Sequence, residues 1–206
     1  MITMMRKTVQ KRQNTATRQK QIIEASRKLT VKYGSEHLTV RKIAAEIGVS
    51  EGAIYRHFRS KRDILSLLVN DIEDTWLKDI EKGRTGAHGV LEILGNIAET
   101  HVSLVEQRKG ISFQVVAEII SLGDRKLNNK IAATIRKYTD KIKELLSAGV
   151  KSRELRDNID LDAAATLFFS MTQGLVSIWV LSGYEFNLEQ RYSHLWNIFR
   201  QSIIKH

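Results

Sequence analysis

The chain has 206 residues, with 33 Lys or Arg, 23 Asp or Glu and a formal net charge of +10. It contains no cysteine, which excludes disulfides, thiolate nucleophiles and zinc sites with sulfur ligands. Its length fits two modules, or one small module on a larger body.

The positive charge is concentrated at one end of the chain. Residues 1–62 hold 15 Lys or Arg and 4 Asp or Glu, whereas residues 63–206 hold 18 and 19. A charge that serves solubility would be spread evenly, while a phosphate-binding surface concentrates it. We therefore interpret the first 62 residues as a nucleic-acid-binding part; the alternative is a solvated basic face.

Residues 1–16 are basic and have no apolar periodicity, which predicts a flexible arm. The arm is suited to phosphates or a minor groove, and it is equally consistent with a passive tail. The stretch lacks the apolar segment of a secretory signal, so we expect a cytoplasmic protein. A helix then runs from Thr17 to Tyr33, and Gly34 is its predicted end.

Residues 38–58, LTVRKIAAEIGVSEGAIYRHF, predict two short helices joined by a tight turn. Thr39 and Ser50 are suited to cap them, and Gly48 ends the first. This arrangement is a helix-turn-helix, whose second helix enters the DNA major groove. The residues predicted to point outward from the second helix are Glu51, Gly52, Ala53, Tyr55, Arg56 and His57.

A long helix follows the helix-turn-helix. Ser60 and Asp63 have the spacing of a capping box, and apolar residues continue at helical spacing to about Lys82. Lys61 lies in the first turn, where phosphates would pass. This helix is therefore predicted to connect the DNA-binding surface mechanically to the rest of the protein.

The stretch from TRQKQIIEAS, beginning at Thr17, to RSKRDIL, ending at Leu65, resembles the DNA-binding domain of the tetracycline-repressor (TetR) family. The shared pattern is V-R-x-I-A-x-x-x-G-V-S-x-G-x-I-Y-x-H-F-x-x-K, which is long and ungapped. Ser26 stands where the family usually has Ala, and Thr30 where it usually has Phe. Neither lies on the predicted DNA face.

The resemblance implies two kinds of DNA contact. Ser50, the cap of the second helix, is also a predicted DNA-binding residue. Phosphate contacts are implied for Thr39, Tyr55, His57 and Lys61. Base-edge contacts are implied for Arg41, Glu51, Gly52, Ala53 and Arg56. Arg56 is the best candidate for reading sequence, because a guanidinium can pair with guanine O6 and N7 together. The alternatives are a partly buried, supporting Tyr55 and a merely solvated His57.

The remaining chain continues in helical periods, with helices predicted at about 88–108, 112–122 and 124–150. Residues 152–160 resemble the family's link into its last two helices, but Arg153 replaces a common Gly there and leaves the turn geometry open. Residues 163–184 carry no charge, and an uncharged stretch of this length is long enough to span a membrane. Two apolar faces on this helix predict instead that it is buried on both sides in a protein.

The last helix, capped by Asn187, also has an apolar face, so the last two helices need a partner. We predict a two-fold homodimer in which they form a four-helix bundle, as the resemblance also implies. The predicted interface residues are Leu167, Phe168, Met171, Leu175, Ile178, Tyr192, Leu195, Trp196 and Phe199.

The resemblance further implies a ligand pocket between the middle helices, whose filling changes the spacing of the recognition helices. The candidate lining residues are Trp76, His101, Phe113, Val116, Tyr138, Phe169 and Gln173. Each of them has an alternative role as ordinary core. The aliphatic and aromatic content favours a small apolar or amphipathic effector.

The sequence contains no phosphate loop, His-Glu-x-x-His motif or nucleophile motif, so we predict no enzyme, metal site or cofactor. The expected fold is all-α, with a DNA-binding domain at 17–62 and a helical effector-binding and dimerisation domain at 63–206. The predicted function is a transcriptional repressor that binds a palindromic operator of double-stranded DNA as a dimer, is released by a small molecule and does not enter membranes. The alternative is a structural or activator protein of this fold, controlled by a protein partner.

Overall fold

The computed structural model describes residues 15–33 and 38–205, which form nine α-helices. Most of the predicted basic arm and the predicted helix end at Gly34 lie outside these residues. The all-α fold is confirmed for the described part of the chain. The helices are α1 (Thr15–Tyr33), α2 (Val40–Glu46), α3 (Glu51–Tyr55), α4 (Lys61–Arg84), α5 (Val90–Gln107), α6 (Ile111–Leu122), α7 (Arg125–Lys151), α8 (Leu161–Leu181) and α9 (Leu188–Ile203).

The first three helices close a small core around the helix-turn-helix. Ile22 of α1, Ile43 of α2 and Ile54 of α3 are fully buried, and Phe58 closes the core after α3. Helix α1 packs against α2 and α4. The apolar spacing read from the sequence therefore identifies these four inward residues.

Helix α4 connects this module to the rest of the chain. It begins with the predicted cap Ser60, whose Oγ accepts a hydrogen bond from the Asp63 backbone N–H at 3.4 Å. The Asp63 carboxylate accepts at 2.7 Å from the N–H of Arg59, one residue before the N–H that the predicted capping box would use. Along its 24 residues α4 packs against α1, α5, α6 and α7. A displacement of α4 would therefore be felt at both ends of the molecule.

The body is built from α4 to α9, with α8 packed between α7 and α9. By length and composition, α8 is the one helix of the described chain that is apolar enough to cross a membrane. Its side chains facing α7 and α9 are nevertheless buried inside the protein, with Phe168 and Trp179 almost inaccessible. The sequence predicts that both apolar faces of α8 are buried. Within one subunit, only one of the two faces is.

The link between α7 and α8 contains an unusual backbone conformation. Arg153 has a φ of 64°, which lies in the left-handed region that favours glycine. The turn that the sequence left open is therefore left-handed at Arg153, a position for which glycine is better suited.

Candidate nucleic-acid interface and body cavities

The helix-turn-helix is fixed by the two caps that the sequence predicts. Thr39 Oγ1 accepts a hydrogen bond from the Lys42 N–H at 3.2 Å, and Ser50 Oγ accepts one from the Ala53 N–H at 3.2 Å. Gly48 lies between the helices with a φ of 68°, which a residue with a side chain adopts only at a cost. Helix α3 is thereby held at a fixed angle to α2.

One face of this unit is open to solvent. The exposed residues are Thr39, Arg41, Ser50, Glu51, Gly52, Tyr55, Arg56 and His57. Tyr55 is 47% exposed, so it is available to a duplex. This face combines hydroxyl, guanidinium and imidazole groups, which are the groups that position a DNA backbone and read bases.

Ala53 is an exception, and its predicted outward position is wrong. Only 8% of Ala53 is exposed, because residues 53 and 54 both lie on the inward side of the short helix α3. Its side chain packs towards the core beside Ile54. Arg56, by contrast, is exposed and forms the C-cap of α3.

Lys61, a predicted phosphate contact, is bound by the body of the protein. Its Nζ lies 2.6 Å from Glu118 Oε1 of α6. The neighbouring Arg62 forms an ion pair with Asp124, whose carboxylate also caps α7. Sequence reasoning missed both acidic partners, because the pairs join residues about sixty positions apart.

The predicted effector pocket contains a closed cluster of rings. Trp76 of α4 lies 5.6 Å from Tyr138 and 5.4 Å from Phe169, and His101 lies 6.1 Å from Trp76, between ring centroids. Burial raises the pKa of the Tyr138 phenol well above its ordinary value. We call these four residues the ring cluster.

A buried polar pair adjoins the ring cluster. His101 Nδ1 lies 3.2 Å from Asp79 Oδ2, and Asp79 is only 1% exposed. A cavity of about 30 Å³ beside Trp76 and His101 has room for one or two water molecules. The ring cluster therefore packs like ordinary core, which is the alternative role that the sequence analysis gives these residues. Sequence reasoning missed Asp79, since no local pattern marks a buried acid.

The other predicted pocket residues surround this core less closely. Phe113 and Val116 are half-buried on α6 and pack against the hydrophobic core, and Gln173 is half-buried on α8. A cavity of about 780 Å³ lies elsewhere, between α5 and α9. Its volume falls in the range of small-molecule sites, and no sequence pattern predicts it.

The predicted dimer residues divide between surface and interior. Leu167 and Ile178 are 51% and 55% exposed on α8. Met171 and Leu195 are half-buried. The unpredicted Leu181 and Ile198 add further exposed apolar surface on α8 and α9.

The prediction of a dimer contact is wrong for four residues that are buried inside the subunit, which are Phe168, Leu175, Tyr192 and Phe199. The ring centroids of Phe168 and Phe199 lie 5.6 Å apart. Thr172 Oγ1 donates to the Tyr192 hydroxyl oxygen at 3.2 Å. Half-buried Trp196 packs on Phe168 and lines the cavity between α5 and α9.

A helix-turn-helix with an open polar face, joined by one helix to an all-helical body, defines a DNA-binding transcriptional regulator. Residues 22–68 match the family described as bacterial regulatory proteins, tetR family, and residues 69–201 match the YsiA-like protein C-terminal region. The chain belongs to the TetR family of bacterial transcriptional regulators.

Relatives of two kinds align with most of this chain. The nucleoid occlusion factor SlmA of Idiomarina loihiensis is 25% identical over 91% of this chain and 95% of its own length. The fatty acid metabolism regulator protein of Bacillus subtilis is 25% identical over 82% of this chain and 86% of its own length. The solved structure of FadR from Bacillus subtilis in complex with stearoyl-CoA aligns with a TM-score of 0.70 at 24% identity, covering 87% of this chain and 96% of that one.

Proposed function

We propose that this regulator is a cytoplasmic repressor that binds an approximately palindromic operator as a homodimer and is released by a small apolar or amphipathic effector. Residues 17–62 form its DNA-binding domain, and residues 63–206 its effector-binding and dimerisation domain. No catalytic activity is part of the proposal. The observation that carries it is the exposed polar face of α3, held rigidly by the Thr39 and Ser50 caps.

The proposed DNA contacts follow from that face. Arg56 and Glu51 present long polar side chains to the major groove, while Gly52 has no side chain and lets the duplex approach. Thr39, Tyr55 and His57 lie where they can donate to phosphates. Ala53 contributes only its backbone, because its side chain is buried.

The proposed dimer uses the outward face of α8. Seven exposed residues on this face form a stripe without charge: Ala163, Thr166, Leu167, Ser170, Gly174, Ile178 and Leu181. Small residues let two such helices approach closely, and the apolar ones lose water on contact. Ile198 of α9, which is 68% exposed, extends the apolar surface. A two-fold axis here brings four helices together and sets the two copies of α3 on one side.

The proposed effector carries an acyl chain. Support comes from the fatty acid metabolism regulator among the relatives and from the stearoyl-CoA bound to the structural neighbour. The ring cluster is the site proposed for it. Because the cluster is closed, an effector must displace a ring to enter, and displacing Trp76 would move α4. An effector that binds only the opened form lowers the affinity for DNA.

The first experiment selects bound sites from random DNA and measures affinity for the selected operator at several salt concentrations. We expect an approximately palindromic site and an affinity that falls steeply with salt. Stearoyl-CoA should then release the operator, whereas free CoA should not. Absence of salt-sensitive binding to any duplex would contradict the proposal, and a monomer in analytical ultracentrifugation at micromolar concentration would contradict the dimer.

A second function is favoured by two observations. The cavity beside Trp76 and His101 has room only for water, and several relatives are nucleoid occlusion factors. In this second function, the protein is a DNA-binding factor that is controlled by a protein partner. Melting experiments separate the two, since an effector at 100 times its dissociation constant adds about 2.7 kcal/mol of stability. No melting shift with any acyl compound, together with intact operator binding, would favour the second function.

A further inference from the structure

The cavity between α5 and α9 is a second candidate ligand site, separate from the ring cluster. Its floor is apolar, formed by Ala98 and Val102 of α5 together with the half-buried Trp196 of α9. On α9, residues 189, 193, 196 and 200 line it at helical spacing, so one face of that helix forms a continuous wall. We call this cavity the α5–α9 groove.

The charge of the groove is opposite to that of the whole chain. Four glutamates and one arginine line it, although the chain has a net charge of +10. Two of these carboxylates are engaged by backbone: Glu154 accepts from the N–H groups of Val90 and Leu91, and Glu92 accepts from the N–H of His88. The rim is therefore acidic around an apolar floor.

The other two carboxylates are available to a ligand. Glu99 and Glu189 are exposed and have no hydrogen bond or ion pair with any residue that the structure describes. They belong to α5 and α9 respectively, so they flank the groove from its two walls. A cation in the groove would be attracted by both of them.

Trp196 supplies an aromatic surface between these walls. A Cβ added at Gly95 of α5 would lie 3.4 Å from Trp196 Cζ2, so the glycine lets the indole pack closely against α5. An indole attracts cations more strongly than the other aromatic side chains do. The groove thus offers a cation both carboxylates and an aromatic ring.

The groove lies away from the proposed dimer surface. Trp196 and Ile198 are two residues apart on α9, which separates them by about 200° around the helix axis. A partner subunit packed on Ile198 would therefore leave the groove open.

We infer that the α5–α9 groove binds a small organic cation with an apolar part, held by Glu99, Glu189 and Trp196. The inference goes beyond the proposed function, because it concerns a different cavity and a ligand of opposite charge to an acyl-CoA. Its test needs no DNA.

The probe is decyltrimethylammonium, used below its micellar concentration and titrated into the full chain by calorimetry. Decanoate, of equal chain length and opposite charge, is the matched comparison. We expect one decyltrimethylammonium per chain and markedly weaker binding of decanoate. Equal affinity for the two, weakened alike by the groove variants below, would overturn the inference, since the apolar chain alone would explain binding in the groove. No binding of the cation would also overturn it.

Variants locate the site. The double variant Glu99→Gln/Glu189→Gln should weaken cation binding about 5- to 10-fold, a modest factor because both carboxylates are exposed and water screens their attraction. Trp196→Leu should weaken it about 2- to 10-fold through loss of the cation–aromatic attraction. Glu185→Gln, an exposed glutamate outside the groove, is the charge-matched control. Unchanged affinity in the double variant would place the cation elsewhere and overturn the inference.

Discussion

Lys61 Nζ lies 2.6 Å from Glu118 Oε1, so the first residue of α4 is joined to α6 by a direct ion pair. The next residue, Arg62, is joined in the same way to Asp124 at the start of α7. Both cations lie at the edge of the helix-turn-helix. A carboxylate of the body thus occupies the position that an operator phosphate would take on Lys61.

Glu118→Gln should therefore strengthen operator binding. Without its acidic partner, the Lys61 ammonium is free to bind a phosphate, and one added phosphate contact increases the slope of log affinity against log salt by about 0.9. Fluorescence anisotropy at four or more salt concentrations measures both effects. Glu144→Gln, which removes the Lys141 ion pair on α7, is the matched control. A Glu118→Gln protein with the wild-type slope would show that Lys61 and DNA do not compete for the same group.

Arg56→Ala should lower operator affinity by about 1–3 kcal/mol and relax the choice of base at one position. The physical reason is that Arg56 is exposed at the end of α3, where a guanidinium can form two hydrogen bonds with guanine. Tyr55→Phe is the comparison, because loss of a phosphate contact from this exposed hydroxyl should weaken binding to all sequences alike. Binding to a panel of single-base operator variants distinguishes the two. Unchanged base preference in Arg56→Ala would remove that residue from sequence reading.

Ser26→Ala should stabilise the protein by about 1 kcal/mol, because the buried Ser26 hydroxyl has no hydrogen-bond partner in the described structure. Urea unfolding followed by circular dichroism measures the change in the free energy of unfolding. Ser147→Ala, on the half-buried side of α7, controls for the better helix propensity of alanine. Equal gains in the two variants would mean that the Ser26 hydroxyl costs nothing.

The parts of the fold that depend on neighbours in sequence could be predicted. The caps Thr39, Ser50, Ser60 and Asn187 all accept the backbone hydrogen bonds expected of them. A cap and its helix lie within four residues of each other, so their relationship is written in the local sequence. The helix-turn-helix could be located for the same reason.

The parts that depend on distant residues could not be predicted. Leu167 and Phe168 are adjacent apolar residues on α8. Only Phe168 packs inside its own subunit, and the local sequence does not distinguish the two. The Lys61–Glu118 pair joins residues 57 positions apart, and no local signal marks it. Whether Trp76, Tyr138 and Phe169 enclose a space or fill it is likewise decided by the packing of three helices.

Arg153→Gly should stabilise the protein by about 0.5–1 kcal/mol. Arg153 follows α7 with a φ of 64°, a conformation that glycine adopts without the clash that a Cβ causes. The gain is reduced by the greater freedom of glycine in the unfolded chain. Lys151→Gly, inside the last turn of α7, is the control and should destabilise by a similar amount. A loss of stability in Arg153→Gly, measured by urea unfolding, would mean that the arginine side chain contributes more than its backbone costs.

The stability of the protein should fall steeply between pH 10 and pH 12, in part because of Tyr192. Burial raises the pKa of the Tyr192 phenol from 10.0 to about 12, against the smaller opposing effect of its hydrogen bond with Thr172. Since the unfolded chain releases this proton first, the contribution of Tyr192 is complete below pH 10 and is lost as the pH rises to 12.

The shift corresponds to roughly 2–3 kcal/mol of stability at the alkaline end. Tyr192→Phe, which has no phenol proton, should lose less stability between pH 10 and pH 12 than the wild type. It starts lower at pH 8, because the Thr172 hydroxyl loses one of its two acceptors and keeps only the Phe168 carbonyl. Urea midpoints at pH 8, 10, 11 and 12 measure the difference, with Tyr55→Phe on the exposed face of α3 as the control. Parallel pH profiles for Tyr192→Phe and the wild type would show that the Tyr192 phenol releases its proton equally easily in the folded and unfolded chains.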